Sequence, residues 1–102
     1  MEQEKFTTKR YTVAEYMALE MRSVFRHELF ECEVFAMTGV SIRHNTLVLN
    51  CAVALRNGLR GKPCRVFVES VQLAVEQGRY YNYPDVAVTC ALADLLAERT
   101  IE

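Results

Sequence analysis

Asp85 is the residue of this chain whose position most suggests chemistry. It follows Pro84 and heads the apolar run Val86-Ala87-Val88, so its carboxylate is carried at the start of a strand. A carboxylate fixed there suits metal-assisted phosphodiester hydrolysis. In that chemistry acidic side chains converge on a divalent cation, which polarises the phosphate and generates hydroxide. A Pro-Asp pair is also a plain turn element, and the dipeptide alone does not choose between the two readings.

The rest of the sequence narrows the chemistry by exclusion. It contains no phosphate-binding glycine loop, nucleophile elbow or paired zinc-ligand spacing. Cys32, Cys51, Cys64 and Cys90 form no CxxC pair, and His27 and His44 lie apart from them. Arg56, Arg60, Lys62 and Arg65 form a small basic cluster. Such a cluster can touch a phosphate backbone, or it can be a solvated rim that complements a helix C-terminus. The net charge of -1 gives no global basic field to attract nucleic acid. The opening Met1-Glu2-Gln3-Glu4-Lys5 is charged, and no apolar run has signal-peptide or membrane-spanning length. These features predict a cytoplasmic chain with no membrane partner. Its thiols are expected to be reduced, two or three of them buried.

The elements that must position these residues follow from periodicity and punctuation. A length of 102 residues fits one small domain, expected over 10–102 after a flexible polar arm at 1–9. Thr12-Val13-Ala14-Glu15 is a capping box that opens a helix running to about residue 21. Strands are predicted at His27–Phe30 and Glu33–Met37, joined by Glu31-Cys32. A two-residue hairpin turn demands positive φ at both positions, for which that dipeptide is a poor choice. Ser41 caps a long helix over 41–60 with Val48, Cys51, Ala52, Leu55 and Leu59 on one face, ended by Gly61 and Pro63. Strands are then predicted at Cys64–Val68, around Val71–Glu76 with Gln72, Ala74 and Glu76 on a wetter face, and at Tyr83–Thr89. A short helix is predicted over 91–99. The order α, β, β, α, β, β, β, α reads as α+β with a mixed or mainly antiparallel sheet and flanking helices.

Tyr83-Pro84-Asp85-Val86, together with Arg26-His27-Glu28 through Glu33 and Arg43-His44-Asn45, resembles the Uma-type restriction endonucleases of the PD-(D/E)XK nuclease superfamily. The resemblance covers about residues 10–92. It implies a restriction-endonuclease-like core and Mg²⁺-dependent hydrolysis of DNA. Asp85 would be the first metal ligand and Glu33 an additional ligand or water anchor. His44 would orient the glutamate or approach phosphate, so that Glu33, His44 and Asp85 form one catalytic site. Without the resemblance, Glu33 reads as a solvated strand carboxylate and His44 as a packed helix-start residue. The family pattern has glycine where Cys32 stands, and often Asp and Lys where Ser70 and Gln72 stand. It continues after Asp85 to a second acidic ligand and a lysine, whereas none of the 17 residues after Asp85 here is lysine. The resemblance therefore implies a C-terminally incomplete nuclease domain. Such a domain would be impaired or inactive alone, completed in trans by homo-oligomerisation, or used as a non-catalytic interaction module.

Overall fold

The structure, a computed structural model, describes residues 3–5, 8–37 and 39–102. Its contacts divide the chain into two compact units: Met1–Val40 with Ala74–Asn82, and Ser41–Leu73 with Tyr83–Glu102.

In the first unit, helix α1 (Val13–Arg22) starts where the capping box predicts. Thr12 Oγ1 accepts from the Glu15 backbone N–H at 3.1 Å, and a Glu15 carboxylate oxygen accepts from the Thr12 N–H at 2.9 Å. These bonds, with Lys9 beside them, hold the Glu15 carboxyl below its ordinary pKa. Strand β1 (Gln3–Lys5) pairs antiparallel with β3 (Glu33–Met37), which pairs with β2 (His27–Phe30). Part of the segment expected as a flexible arm is thus strand. Met1, Glu2, Phe6 and Thr7 lie outside the described residues. Glu31 and Cys32 have φ of 46° and 67°, so the hairpin takes the left-handed turn that the sequence fits poorly. Such residues store on the order of 1 kcal/mol or more each.

The core of this unit is Tyr16, Leu19, Leu29, Val34 and Tyr81. The Tyr16 hydroxyl donates to the His27 carbonyl at 2.7 Å. Glu20 ties α1 to β2: one carboxylate oxygen accepts from the His27 N–H at 2.7 Å and the other lies 2.8 Å from Nδ1. His27 is therefore structural, as its sequence position suggests. Tyr81 is carried on β6 (Tyr80–Asn82), antiparallel to β2. The tight turn before it needs Gly78: φ is 86°, and a Cβ there would meet the Tyr81 hydroxyl at 2.9 Å.

In the second unit, helix α2 (Ile42–Gly58) faces the antiparallel pair β4 (Arg65–Val68) and β7 (Val86–Thr89). The strand expected at Tyr83–Thr89 is shorter than predicted, and a separate strand precedes it. Tyr80–Asn82 is β6, and β7 begins only at Val86, because Pro84 has no N–H to give a ladder. The buried stripe of α2 also differs from the predicted one. Val48 is buried and His44, Ala52 and Leu59 are half-buried, while Cys51 and Leu55 are exposed. Strand β5 (Gln72–Val75) begins in this unit and pairs in parallel with β8 (Thr100–Ile101), a strand the sequence did not announce. Gln72, expected on a wet face, is buried, because the register sets Thr100 beside it and the Thr100 hydroxyl donates to its Oε1 at 2.7 Å. The observed class is α+β with mostly antiparallel pairing, as expected.

The thiol expectation is corrected. Cys64 and Cys90 form a disulfide, and the free Cys32 and Cys51 are exposed. The β4–β7 register explains the bond, since Arg65 pairs with Thr89 and the next step brings residue 64 opposite residue 90. No helix among the described residues is long and apolar enough to cross a membrane.

Short helix α3 (Leu92–Leu95) carries Asp94, whose buried carboxylate joins three segments. It accepts from the Thr89 hydroxyl at 2.6 Å and the Glu102 N–H at 2.9 Å. The Thr89 bond first, then the Glu102 bond, holds its pKa below the ordinary 3.8. A depressed carboxyl stabilises the fold above its unfolded pKa, and that stability is lost as pH falls through the folded value. The wild-type melting temperature is therefore expected to drop faster below pH 4 than that of Asp94→Asn. Parallel pH slopes for the two proteins would show that the carboxylate latch contributes nothing.

Candidate functional site

His44 and Asp85 are brought together within the second unit. The Ser41 hydroxyl accepts the His44 backbone N–H at 3.0 Å, which fixes His44 in the first turn of α2. Four-residue spacing then puts His44 on the same stripe as Val48 and Ala52, the side of α2 that packs inward. Asp85 sits one step before β7. Its carbonyl accepts the Glu69 N–H at 3.1 Å, extending the β4–β7 ladder past the Val68–Val86 pair. Each carrier is thus anchored by its own backbone bonds before the side chains meet.

His44 Nε2 lies 3.0 Å from Asp85 Oδ2, and both side chains are about one-third exposed, at 32% and 34%. The distance is that of an ion pair, but the directional requirements of a hydrogen bond are not met. Nε2 and the second carboxylate oxygen, Oδ1, are occluded atoms with no hydrogen-bond partner among the described residues. Buried polar atoms in folded proteins are nearly always paired. The pair thus keeps unused hydrogen-bonding capacity on both groups.

Glu33, the third expected site residue, is placed in the first unit. It is half-buried on β3, directly opposite Phe30 and next to the Glu31-Cys32 turn. Among the described residues no group of three or more His, Cys, Asp or Glu side chains is arranged to hold a metal ion. A hard cation such as Mg²⁺ needs an octahedron of oxygens, commonly one or two carboxylates with water and phosphate oxygens. Asp85 supplies one carboxylate, faced by an imidazole, so most of that octahedron would have to come from water, phosphate or further ligands.

Sequence reasoning did not single out Glu69, whose backbone binds Asp85 and whose φ is 53°. It follows an apolar strand as many solvated acids do, and nothing in its spacing marks it. Nor did it find the Asp94 latch, which depends on the chain returning at Glu102.

The comparisons with known proteins agree with the resemblance read from the motifs. The profile of the Uma2 family, described as "Putative restriction endonuclease", matches residues 13–102. The uncharacterized protein slr1290 of Synechocystis sp. is 30% identical over 76 residues, covering 74% of this chain and 40% of the relative. The chain thus spans about two-fifths of the length of that curated relative. No solved structure matches.

Proposed function

The chain belongs to the Uma2 family of restriction-endonuclease-like proteins, and from that premise we propose that it supplies one part of a centre for DNA phosphodiester hydrolysis. His44 and Asp85 are its reactive pair. The observation that carries this reading is the 3.0 Å approach of His44 to Asp85 with unpaired occluded atoms on both groups. Asp85 Oδ1 is an unsatisfied acceptor, occluded in this arrangement, and it would take a proton from water or bind a cation completed by other ligands once uncovered. His44 Nε2, when protonated, can donate to Asp85 or to a phosphate oxygen. The Mg²⁺ that the family implies would supply Lewis acidity, and Asp85 would offer it a single protein carboxylate. Hydrolysis by the chain alone is accordingly absent or slow.

A second reading is favoured by a specific observation. Ile42, Leu47 and Leu49 on α2 are 88%, 57% and 60% exposed, and β4–β7 is a two-stranded pair whose outer edges join no further strand among the described residues. Apolar surface and open edges promote association. A second copy of the chain is thus a candidate partner that completes the centre.

Cleavage of a labelled duplex in Mg²⁺ or Mn²⁺, with and without chelator and over a protein dilution series, tests both readings. The expected result is little or no cleavage at low concentration and no micromolar cation binding by calorimetry. Activity that rises faster than protein concentration supports completion in trans. Robust cleavage at every concentration, with chelator-sensitive binding lost in Asp85→Ala, would show instead that the chain carries a complete site.

A further inference from the structure

The far end of α2 carries a second feature that the His44–Asp85 site does not use. A cleft of about 550 Å³ opens there within the second unit, between the last turns of the helix and the start of β4. Arg56, Asn57, Arg60 and Arg65 line it, with Val53 and Val66 as apolar wall. A volume of this order lies within the usual ligand-site range of roughly 300–1,000 Å³.

The charge around the cleft is one-sided. The chain has 13 acidic and 12 basic residues, yet no acidic residue occurs between Glu33 and Glu69. None of the three lining arginines makes an ion pair with a carboxylate among the described residues. Arg60 Nη2 donates to Asn57 Oδ1 at 3.2 Å, and the Arg65 guanidinium lies 5.2 Å from the Phe67 ring centroid. Both contacts hold a guanidinium in place without neutralising it.

Helix-dipole complementation accounts for part of this pattern. Cations in a last turn gain about 0.3–1 kcal/mol from the exposed carbonyls, and that suffices for Arg56. It does not account for Arg65, which sits on β4 beyond the Gly61 turn. Arginines converging from a helix and a strand, without carboxylates, repel one another unless an anion lies among them. The guanidinium fork matches phosphate oxygens bidentately.

We propose that this cleft is a DNA phosphate-backbone site, distinct from the His44–Asp85 pair. The proposal rests on the nucleic-acid reading above. At about 1.5 Å per residue, Arg56 lies about 18 Å along the helix from His44. At ~3.4 Å per base pair that distance is roughly 5 base pairs. A duplex gripped at the cleft would reach the Asp85 end within one helical turn. The cleft would position the backbone without reading sequence.

Fluorescence anisotropy with a labelled duplex in chelator, across a salt series, tests the proposal without requiring cleavage. Replacing all three arginines (R56Q, R60Q and R65Q together) is expected to weaken binding at least tenfold, equally for unrelated sequences. The slope of log K against log salt should fall by roughly 2–3, at ~0.9 per lost phosphate contact. Arg22→Gln, one surface charge in the other unit, should change affinity less than twofold. The arginines are exposed, and circular dichroism verifies that the variants fold. The triple lysine variant keeps the charge but not the fork, and should fall between wild type and the glutamine variant.

Unchanged affinity and slope in the glutamine variant would overturn the proposal, as would failure of the wild type to bind duplex. Full displacement of DNA by micromolar inorganic phosphate would reassign the cleft to small anions. The two readings fail separately. Arginine-dependent binding without cleavage under any condition would sink the hydrolytic reading alone. Cleavage indifferent to the arginines would sink this proposal alone.

Discussion

Replacing Tyr16 with alanine is expected to destabilise the first unit by about 3–5 kcal/mol, the range for truncating a large buried aromatic. Tyr16 is 0% exposed, its ring lies 5.5 Å from that of Tyr81, and its hydroxyl donates to the His27 carbonyl. Alanine would remove the packing between α1 and the β2–β3 hairpin together with the hydrogen bond to the His27 carbonyl. Small domains have only about 5–15 kcal/mol of stability in total, so the variant should be largely unfolded in mild denaturant. Tyr16→Phe isolates the hydrogen bond and should cost about 0.5–1.5 kcal/mol, the net worth of a typical intramolecular hydrogen bond. Denaturant titrations of the three proteins check this. A Tyr16→Ala loss below 1 kcal/mol would mean that the five-residue core is not what holds this unit together.

Breaking the Cys64–Cys90 bond should have an effect of similar size on the second unit. The linked residues are 26 positions apart. The chain-entropy relation for a loop of that length gives about 3.5 kcal/mol of stabilisation through the unfolded state. Cys90→Ser is expected to lose about that much in oxidising buffer and little further in reductant. The wild type should fall to the level of the variant when reduced. The choice of Cys90 leaves intact the Cys64 that contributes to the cleft wall. If reductant leaves the wild-type denaturation midpoint unmoved, the bond contributes no stability.

Local rules made much of this fold legible. Thr12 and Glu15 fix the start of α1, and Ser41 that of α2, because a cap is decided by residues three apart. The strands His27–Phe30 and Glu33–Met37 coincide with their predicted limits, since the apolar pattern prevailed over a turn dipeptide unsuited to positive φ. The motif resemblance identified the family, which matches residues 13–102. Pro84 marked the beginning of the last predicted strand. Its lack of an N–H was also the reason that strand starts three residues later than predicted, at Val86.

What the tertiary structure alone decided has one physical origin: contacts between residues distant in sequence. Strand register set Gln72 against Thr100 and buried it, reversing the alternation read along the strand. Register also placed Cys64 opposite Cys90, although the spacing of the cysteines gave no sign of a bond. The packing of α2 on β4 and β7 turned His44 and Val48 inward and left Cys51 and Leu55 exposed, a rotation the helical period does not fix. The same packing set His44 against Asp85 across 41 positions of chain and gathered the arginines of a helix end and a strand around one cleft. Sequence named residues with the right chemistry, because side-chain type is local. Which of them meet was decided by register and helix rotation, which depend on the whole chain closing at once.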